Sequence, residues 1–284
     1  MIPSAFDYVA PTTVDDAVRA LSEAGEDAKV LAGGQSLLPV LRMRLAAPSK
    51  LIDLGRVAEL RGVREDGDVL VIGAMTTHYE VQRDALVAEH AALLAAATDT
   101  VADPQVRHRG TFGGALAHAD PAGDLLAPTL ALDAEMVVSG MDGRRTVPAA
   151  EFFVDFFTTA LRPGEILVEV RVPKKTGWSA HYEKFNRVAQ AWPIVAVAAA
   201  VRVDGGAIAE ARVGLTNMAA TPMRATAVEE ALVGQPATAE AINAAAEHAA
   251  EGTSPAADGN ADVEYRQHLA RVLTGRAVAA AVGA

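Results

Sequence analysis

The sequence contains no cysteine. That excludes disulfides, and it excludes this chain as the home of a cysteine-ligated iron–sulfur cluster or a cysteine-type zinc site. Positive charge is scarce as well: 25 Lys and Arg stand against 36 Asp and Glu, a formal net charge of −11 with a pI near 5.1. A broad nucleic-acid or anionic-membrane surface needs clustered basic residues, so neither partner is expected. Any bound phosphate is expected to rest mostly on backbone dipoles. Long apolar runs are missing too, and residues 194–201 fall far short of the roughly 18 residues of a spanning helix. The N-terminus has no basic segment followed by an apolar one and does not read as a secretory signal; a cytoplasmic chain is the expectation. There is no Gly-x-Gly-x-x-Gly and no Gly-Lys-Ser/Thr loop, which disfavours a Rossmann site or a nucleotide triphosphatase. Gly34-Gln35-Ser36-Leu37-Leu38 lacks the closing glycine of a hydrolase elbow.

What is present is a 51% hydrophobic, 21% charged chain of 284 residues, enough for two or three modest folded lobes. Thr13 precedes an amphipathic helix carrying Val14, Ala17, Val18 and Leu21, with Gly25 as its terminator. Lys29-Val30-Leu31 reads as a strand running into Gly33 and Gly34, and residues 51–54 as another. Hairpins are expected over 63–74 around Asp66-Gly67 and over 135–147 around Asp142-Gly143. Helices are expected over 77–100 and 121–132, and a strand over 166–172. After Lys174-Lys175-Thr176-Gly177 the character changes to three longer strands, 180–185, 194–203 and 207–215. Helical stretches follow over 224–232, 239–251 and 262–282, with a Gly-, Ser-, Pro- and Asp-rich loop over 252–260 that reads as mobile.

Two glycine pairs carry the chemistry: Ala32-Gly33-Gly34-Gln35-Ser36 and Thr111-Phe112-Gly113-Gly114-Ala115. Adjacent glycines let backbone N–H groups converge on an anion, and a pyrophosphate gripped from two sides is the expected ligand. An isolated Gly-Gly is more often a steric turn, but the second pair is followed by His118, Asp120 and Asp124. Asp124 could accept hydrogen bonds from a ribose or adenine; the alternative is that Asp120 caps a helix starting at Pro121 and Asp124 adds charge to its first turn. One His with helix-start carboxylates is a poor metal-ligand set, so no metal site is expected. Lys184 reads as solvent-facing and Trp192 as packing unless a flat ring needs a cation and a stacking partner.

Residues 32–39 and the run Arg-His-Arg-Gly-Thr-Phe-Gly-Gly-Ala-Leu-Ala-His-Ala-Asp-Pro-Ala-Gly-Asp over 107–124 closely resemble the FAD-binding medium subunit of the molybdenum hydroxylases, the xanthine dehydrogenase family. The likeness extends through Tyr182-Glu183-Lys184-Phe185, Pro193-Ile194-Val195 and Gly214-Leu215-Thr216-Asn217, and it is strongest to the aerobic carbon monoxide dehydrogenase branch. It implies an α+β fold: a two-lobed FAD-binding unit of the vanillyl-alcohol-oxidase type (1–57 and 58–175), then a C-terminal three-stranded sheet with a helical bundle (176–284). It implies FAD between the lobes, with its pyrophosphate at both glycine pairs. Residues 29–37 would line the first pair, Val101, Thr111, Phe112, Ala115, His118 and Asp120 would lie beside the second, and Asp124 would meet the adenosine half. Leu167 and Lys184 would approach the isoalloxazine, with Trp192 near its face. No residue of the chain is expected to be catalytic. Partners would be a small subunit with 2Fe-2S clusters and a large molybdopterin subunit in a dimer of heterotrimers, passing electrons from CO oxidation through FAD to an external acceptor. An N-heterocycle, nicotine-type or aldehyde substrate on the same architecture is the alternative, and a stand-alone flavin oxidase or an FAD-free scaffold is more distant. Ala115 stands where relatives often carry Asn, Asp or Ser, and Gln35 where the carbon monoxide branch often has His.

Overall fold

The computed structural model describes residues 2–284. In its first lobe Thr13 accepts a hydrogen bond from the Asp16 N–H and opens α1 (Val14–Ala24), which stops at Gly25 with φ +72°. Its buried stripe of Val14, Ala17, Val18 and Leu21 is the one the spacing predicts. The stripe packs on a parallel sheet whose strands are β1 (Asp7–Val9), β2 (Ala28–Leu31) and, between them, β3 (Lys50–Asp53). The β2–β3 crossover contains α2 (Leu37–Arg42).

Both hairpins of the second lobe form at their Asp-Gly turns, the first from β4 (Val63–Asp66) and β5 (Val69–Gly73). The stretch 77–100 is three helices rather than the one expected: α3 (His78–Arg83), α4 (Ala85–His90) and α5 (Ala92–Asp99). Asp84 accepts from the N–H groups of Leu86 and Val87, so the chain caps a new helix instead of continuing the old one, and Ala91 breaks it again at φ −141°. After α6 (Pro104–Arg107) and α7 (Phe112–His118) comes α8 (Leu126–Ala131), which is shorter than the expected 121–132. Asp120 does not cap it: its carboxylate closes a local turn onto the Ala122 N–H, and the helix begins only at Leu126. The second hairpin is β6 (Glu135–Gly140) with β7 (Gly143–Pro148). Then α9 (Ala149–Phe152) and a small hairpin, β8 (Phe153–Asp155) with β9 (Thr158–Thr159), lead to β10 (Ile166–Pro173). That strand joins the two main hairpins into one antiparallel sheet, β4-β5-β10-β6-β7.

The third lobe carries β11 (Ser179–Phe185), β12 (Val195–Asp204) and β13 (Ala207–Thr216) as expected, and a fourth strand, β14 (Met223–Arg224), that the three-stranded expectation omits. A two-residue edge strand directly after Pro222 has no periodicity to betray it. Helices α10 (Thr226–Leu232), α11 (Ala239–Ala246) and α12 (Val263–Val282) follow. The loop between the last two is tied down: Ser254 N–H donates to the Met218 carbonyl, and Asp258 pairs with the buried Arg266.

Both larger sheets are covered on two faces, which explains their near-continuous apolar strands. Val137, Ile166 and Val168 face α1, whereas Met136, Val138, Val170 and Val172 face the middle helices. In β12 the residues Ala196, Ala198 and Ala200 face the same middle helices, while Val195, Val197, Ala199 and Val201 pack toward α10, α11 and α12. The result is an α+β stack with the helices of the second lobe between two sheets.

Candidate functional site

The two glycine segments meet backbone to backbone. A Cβ at Gly33 would lie 2.2 Å from the Arg109 carbonyl oxygen and 2.6 Å from Gly110 Cα. At Gly113 it would lie 2.7 Å from Ala74 Cα, and at Gly114 2.6 Å from Thr111 Oγ1. The segments differ in what they offer a ligand. In the second, N–H groups are already engaged: Phe112 donates to Thr76 O at 2.9 Å, Gly113 to Ala74 O at 2.9 Å, Gly114 to Thr111 Oγ1 at 3.2 Å and Ala115 to Thr111 O at 3.0 Å. That segment is a capped helix start packed on β5, which corrects the expectation of two anion nests. In the first, among the described residues, the N–H groups of Gly33, Gly34, Gln35 and Ser36 donate to no protein acceptor. Gly34, at φ +77°, supplies a left-handed turn in this segment.

A cavity lies on either side of this seam. One, of about 370 Å³, is lined by Leu31, Ala32, Gly33, Gly34 and Thr111 together with Arg56, Arg61, His108 and Arg109. Its one carboxylate, Asp53, is occupied by the Tyr8 hydroxyl at 2.5 Å and the Gly55 N–H at 2.7 Å. Three arginines border this cavity in a chain of net charge −11, so basic side chains stand beside the backbone dipoles expected to hold most of an anion. The other, of about 240 Å³, is lined by Gln35, Ser36, Val101, Ala115, His118, Asp120, Asp124 and Trp192, with His78, Asp103 and Val106 beside them. Small-molecule sites measure roughly 300–1,000 Å³, and the first cavity alone falls within that range.

Asp124 and Lys184, expected at opposite ends of the cofactor, are paired to each other. Lys184 Nζ lies 2.8 Å from Asp124 Oδ2, with side chains only 6% and 7% exposed, and also donates to Thr100 O at 3.1 Å. The Tyr182 hydroxyl donates to Asp124 Oδ1 at 2.9 Å. Burial holds the Asp124 carboxyl above its ordinary range, against the pull of Lys184 and Tyr182. Lys184 is therefore neither solvent-facing nor a free cation; it braces β11 against the end of α5. Burial likewise lowers the pKa of His118, against a nearby Asp120.

Residues 4–175 match the family model described as the FAD binding domain in molybdopterin dehydrogenase, and residues 180–281 match the CO dehydrogenase flavoprotein C-terminal domain. The chain belongs to the molybdopterin dehydrogenase flavoproteins. As a member it is the flavoprotein subunit of an oxidoreductase. It is 43% identical to the carbon monoxide dehydrogenase medium chain of Hydrogenophaga pseudoflava, over 99% of this chain and 98% of that one. It is 37% identical to the nicotine 6-hydroxylase medium subunit of Paenarthrobacter nicotinovorans, over 95% of each. Among solved structures it superposes on carbon monoxide dehydrogenase from Hydrogenophaga pseudoflava, in a form lacking the Mo-pyranopterin moiety, with a TM-score of 0.96 at 44% identity, covering 100% of this chain and 99% of that one.

Within this flavoprotein the expected site residues separate into groups. Leu31 through Ser36, Val101, Thr111, Ala115, His118, Asp120, Asp124 and Trp192 line the two cavities. Phe112, Gly113 and Leu167 are buried, the first two at the seam and Leu167 in the core beside Val138. Lys29 and Val30 pair with Leu51 and Ile52 in the first sheet, and Leu37 opens α2. Trp192 is 63% exposed, so it sits on the rim rather than in packing. Its loop is anchored by Asn217, at φ +64°, whose side chain donates to the carbonyls of Pro193 and Ile194 and whose N–H donates to Pro121 O. Arg56, Arg61 and His78 were not foreseen. The Thr77-His78-Tyr79-Glu80 capping box, visible in the sequence, could have marked His78 as the first residue of a helix at the site.

Proposed function

We propose that this chain holds FAD across the seam and acts as the electron-transfer subunit of a molybdenum-containing CO dehydrogenase. The observation that carries the cofactor reading is the row of four unengaged N–H groups at residues 33–36, set between a basic cavity and a largely apolar one. The N–H groups of residues 33–36 would donate to the diphosphate, Arg56, Arg61 and Arg109 would balance its charge, and Val101, Ala115 and Trp192 would border the flavin end. FAD, when bound, supplies the redox chemistry. The chain's residues bind it, orient it and restrict water, and no side chain here is asked to be a nucleophile or a base. Lys184 and Asp124 act on the wall of the site, not on the cofactor directly.

A chain without cysteine must receive electrons from a centre elsewhere. We assign that centre to the 2Fe-2S clusters of a small subunit, fed by a large molybdopterin subunit in a dimer of heterotrimers, with an external acceptor beyond. We place the three lobes at 1–57, 58–175 and 176–284, each with its own sheet. No described helix is long and apolar enough to cross a membrane; we place the complex in the cytoplasm, with any membrane contact made through the partners. The CO assignment is supported by the full-length likeness to the Hydrogenophaga chain. A nicotine-type or other N-heterocycle hydroxylase is the second reading, supported by Gln35 in place of His and by the likeness to the Paenarthrobacter subunit. The test is native purification with mass spectrometry and a visible spectrum before and after CO is added. FAD, three subunits and flavin bleaching by CO are expected. Bleaching by an N-heterocycle but not by CO moves the assignment to the second reading, and a flavin-free chain without partners overturns both.

A further inference from the structure

His78 is buried, 5% exposed, on the wall of the smaller cavity. Its backbone N–H donates to Gly110 O at 2.9 Å. Gly110 makes room for the ring: a Cβ there would lie 2.7 Å from His78 Cδ2 and 2.9 Å from Nε2. Yet the protein makes no use of the imidazole. Nδ1 is enclosed with no hydrogen-bond partner, and Nε2 has none among the described residues and is not enclosed. The Cδ2–Nε2 edge lies beside Gly110, and the residue borders the cavity. Burial, with Arg107 nearby, lowers its pKa to about 4, so it is neutral at pH 7.

A purely packing position would be better served by a phenyl ring, which leaves no buried polar atom unmet. A neutral imidazole has one N–H and one lone pair. The polar edge of FAD is mostly acceptor: phosphate oxygens, ribityl oxygens and ring carbonyls. We propose that His78 is a cofactor contact whose Nε2–H donates a hydrogen bond to an oxygen of the FAD seated beside Ser36 and Ala115. This rests on the cofactor reading above. Because the ring is neutral, the contact adds no charge to a region that Asp120 and Asp124 already border.

The test is FAD titration of the deflavinated full chain, within its complex, followed by flavin fluorescence, together with thermal unfolding of the FAD-free chain. His78→Phe is expected to weaken FAD binding about tenfold while raising the FAD-free midpoint, because the unmet polar atoms are gone. His78→Gln, which can place an N–H near the same point, is expected to stay within about threefold of the parent. A purely structural role predicts the reverse: a lowered midpoint and unchanged affinity. Parental FAD affinity in His78→Phe, or in His78→Leu should the phenyl variant not fold, overturns the contact. If the parent itself takes up no FAD, the cofactor reading fails and the contact with it; that outcome is separable because it appears before any substitution.

Discussion

Replacing Lys184 by methionine removes one charge from a pair whose side chains are 6% and 7% exposed. Asp124 keeps a single neutral donor, the Tyr182 hydroxyl at 2.9 Å, and the Thr100 carbonyl loses its Lys184 contact at 3.1 Å. Removing one partner of a buried pair costs about 3–5 kcal/mol. With Tyr182 retained, the lower end applies: about 3 kcal/mol, or a fall of roughly 6–12 °C in Tm for a chain of this size. The deficit depends on pH with a definite sign. The Asp124 pKa is already raised by burial, and losing Lys184 raises it further. A carboxyl that binds its proton more tightly in the folded state favours folding at low pH and loses that contribution as pH rises through its folded value. The variant should therefore be weakest relative to the parent near neutral pH and recover toward ~pH 5. The assay is urea unfolding of the FAD-free chain at both pH values, alongside the double variant Lys184→Met/Asp124→Leu, which removes the stranded charge and should regain most of the loss. A single variant within about 0.5 kcal/mol of the parent, or a double variant no better than the single, would refute the buried-pair reasoning.

Gly33→Ala should cost about 3 kcal/mol, since its Cβ would meet the Arg109 and Gly110 backbone, whereas Gly34→Ala should cost nearer 1–2 kcal/mol because its obstacle is the movable Leu38 side chain. Denaturant unfolding of the flavin-free chain measures both, and the opposite order contradicts the seam. His78, with a folded pKa of about 4, should make the parent lose stability as pH falls from about 6.5 through that value, on the order of 3 kcal/mol in full. His78→Gln should flatten this slope, and an unchanged pH profile argues against a buried neutral ring. Asn217→Gly keeps the left-handed backbone but drops the two side-chain bonds to Pro193 and Ile194. In a Trp178→Phe background the fluorescence anisotropy of Trp192 should fall, while unchanged anisotropy would show that the loop is held by other contacts.

Local pattern made much of this fold legible. The Thr13 cap, the strand before Gly33 and the two Asp-Gly hairpins each follow from a few adjacent residues. Asp84 could have been read as a second helix start, but nothing near Ala91 announces its break. The missing edge strand has only two residues and gains its identity from β13. The site was less readable for a different reason. Asp124 and Lys184 stand 60 positions apart in the chain, and each looks like an ordinary exposed or capping residue until the fold puts them in one buried pair. The second glycine pair looked like an anion nest because sequence records only the missing Cβ. Whether a ligand or Ala74 fills that space is decided by tertiary packing.

The contact between Gly33 and the Arg109–Gly110 backbone holds no side chain on either surface. A junction of that kind has nothing to adjust by substitution: any added atom forces the segments apart, and no exchange of residue type makes it tighter. Ala115 and Trp192, by contrast, line the smaller cavity outside that contact, whereas the Gln35 side chain donates to the Gly33 carbonyl at 3.1 Å. Variation confined to Ala115 and Trp192 would alter the polarity and cover of the pocket against an unmoving frame, so affinity becomes separable from folding. A directed library at the rim is thus the natural way to ask how much of the cofactor's behaviour this chain sets.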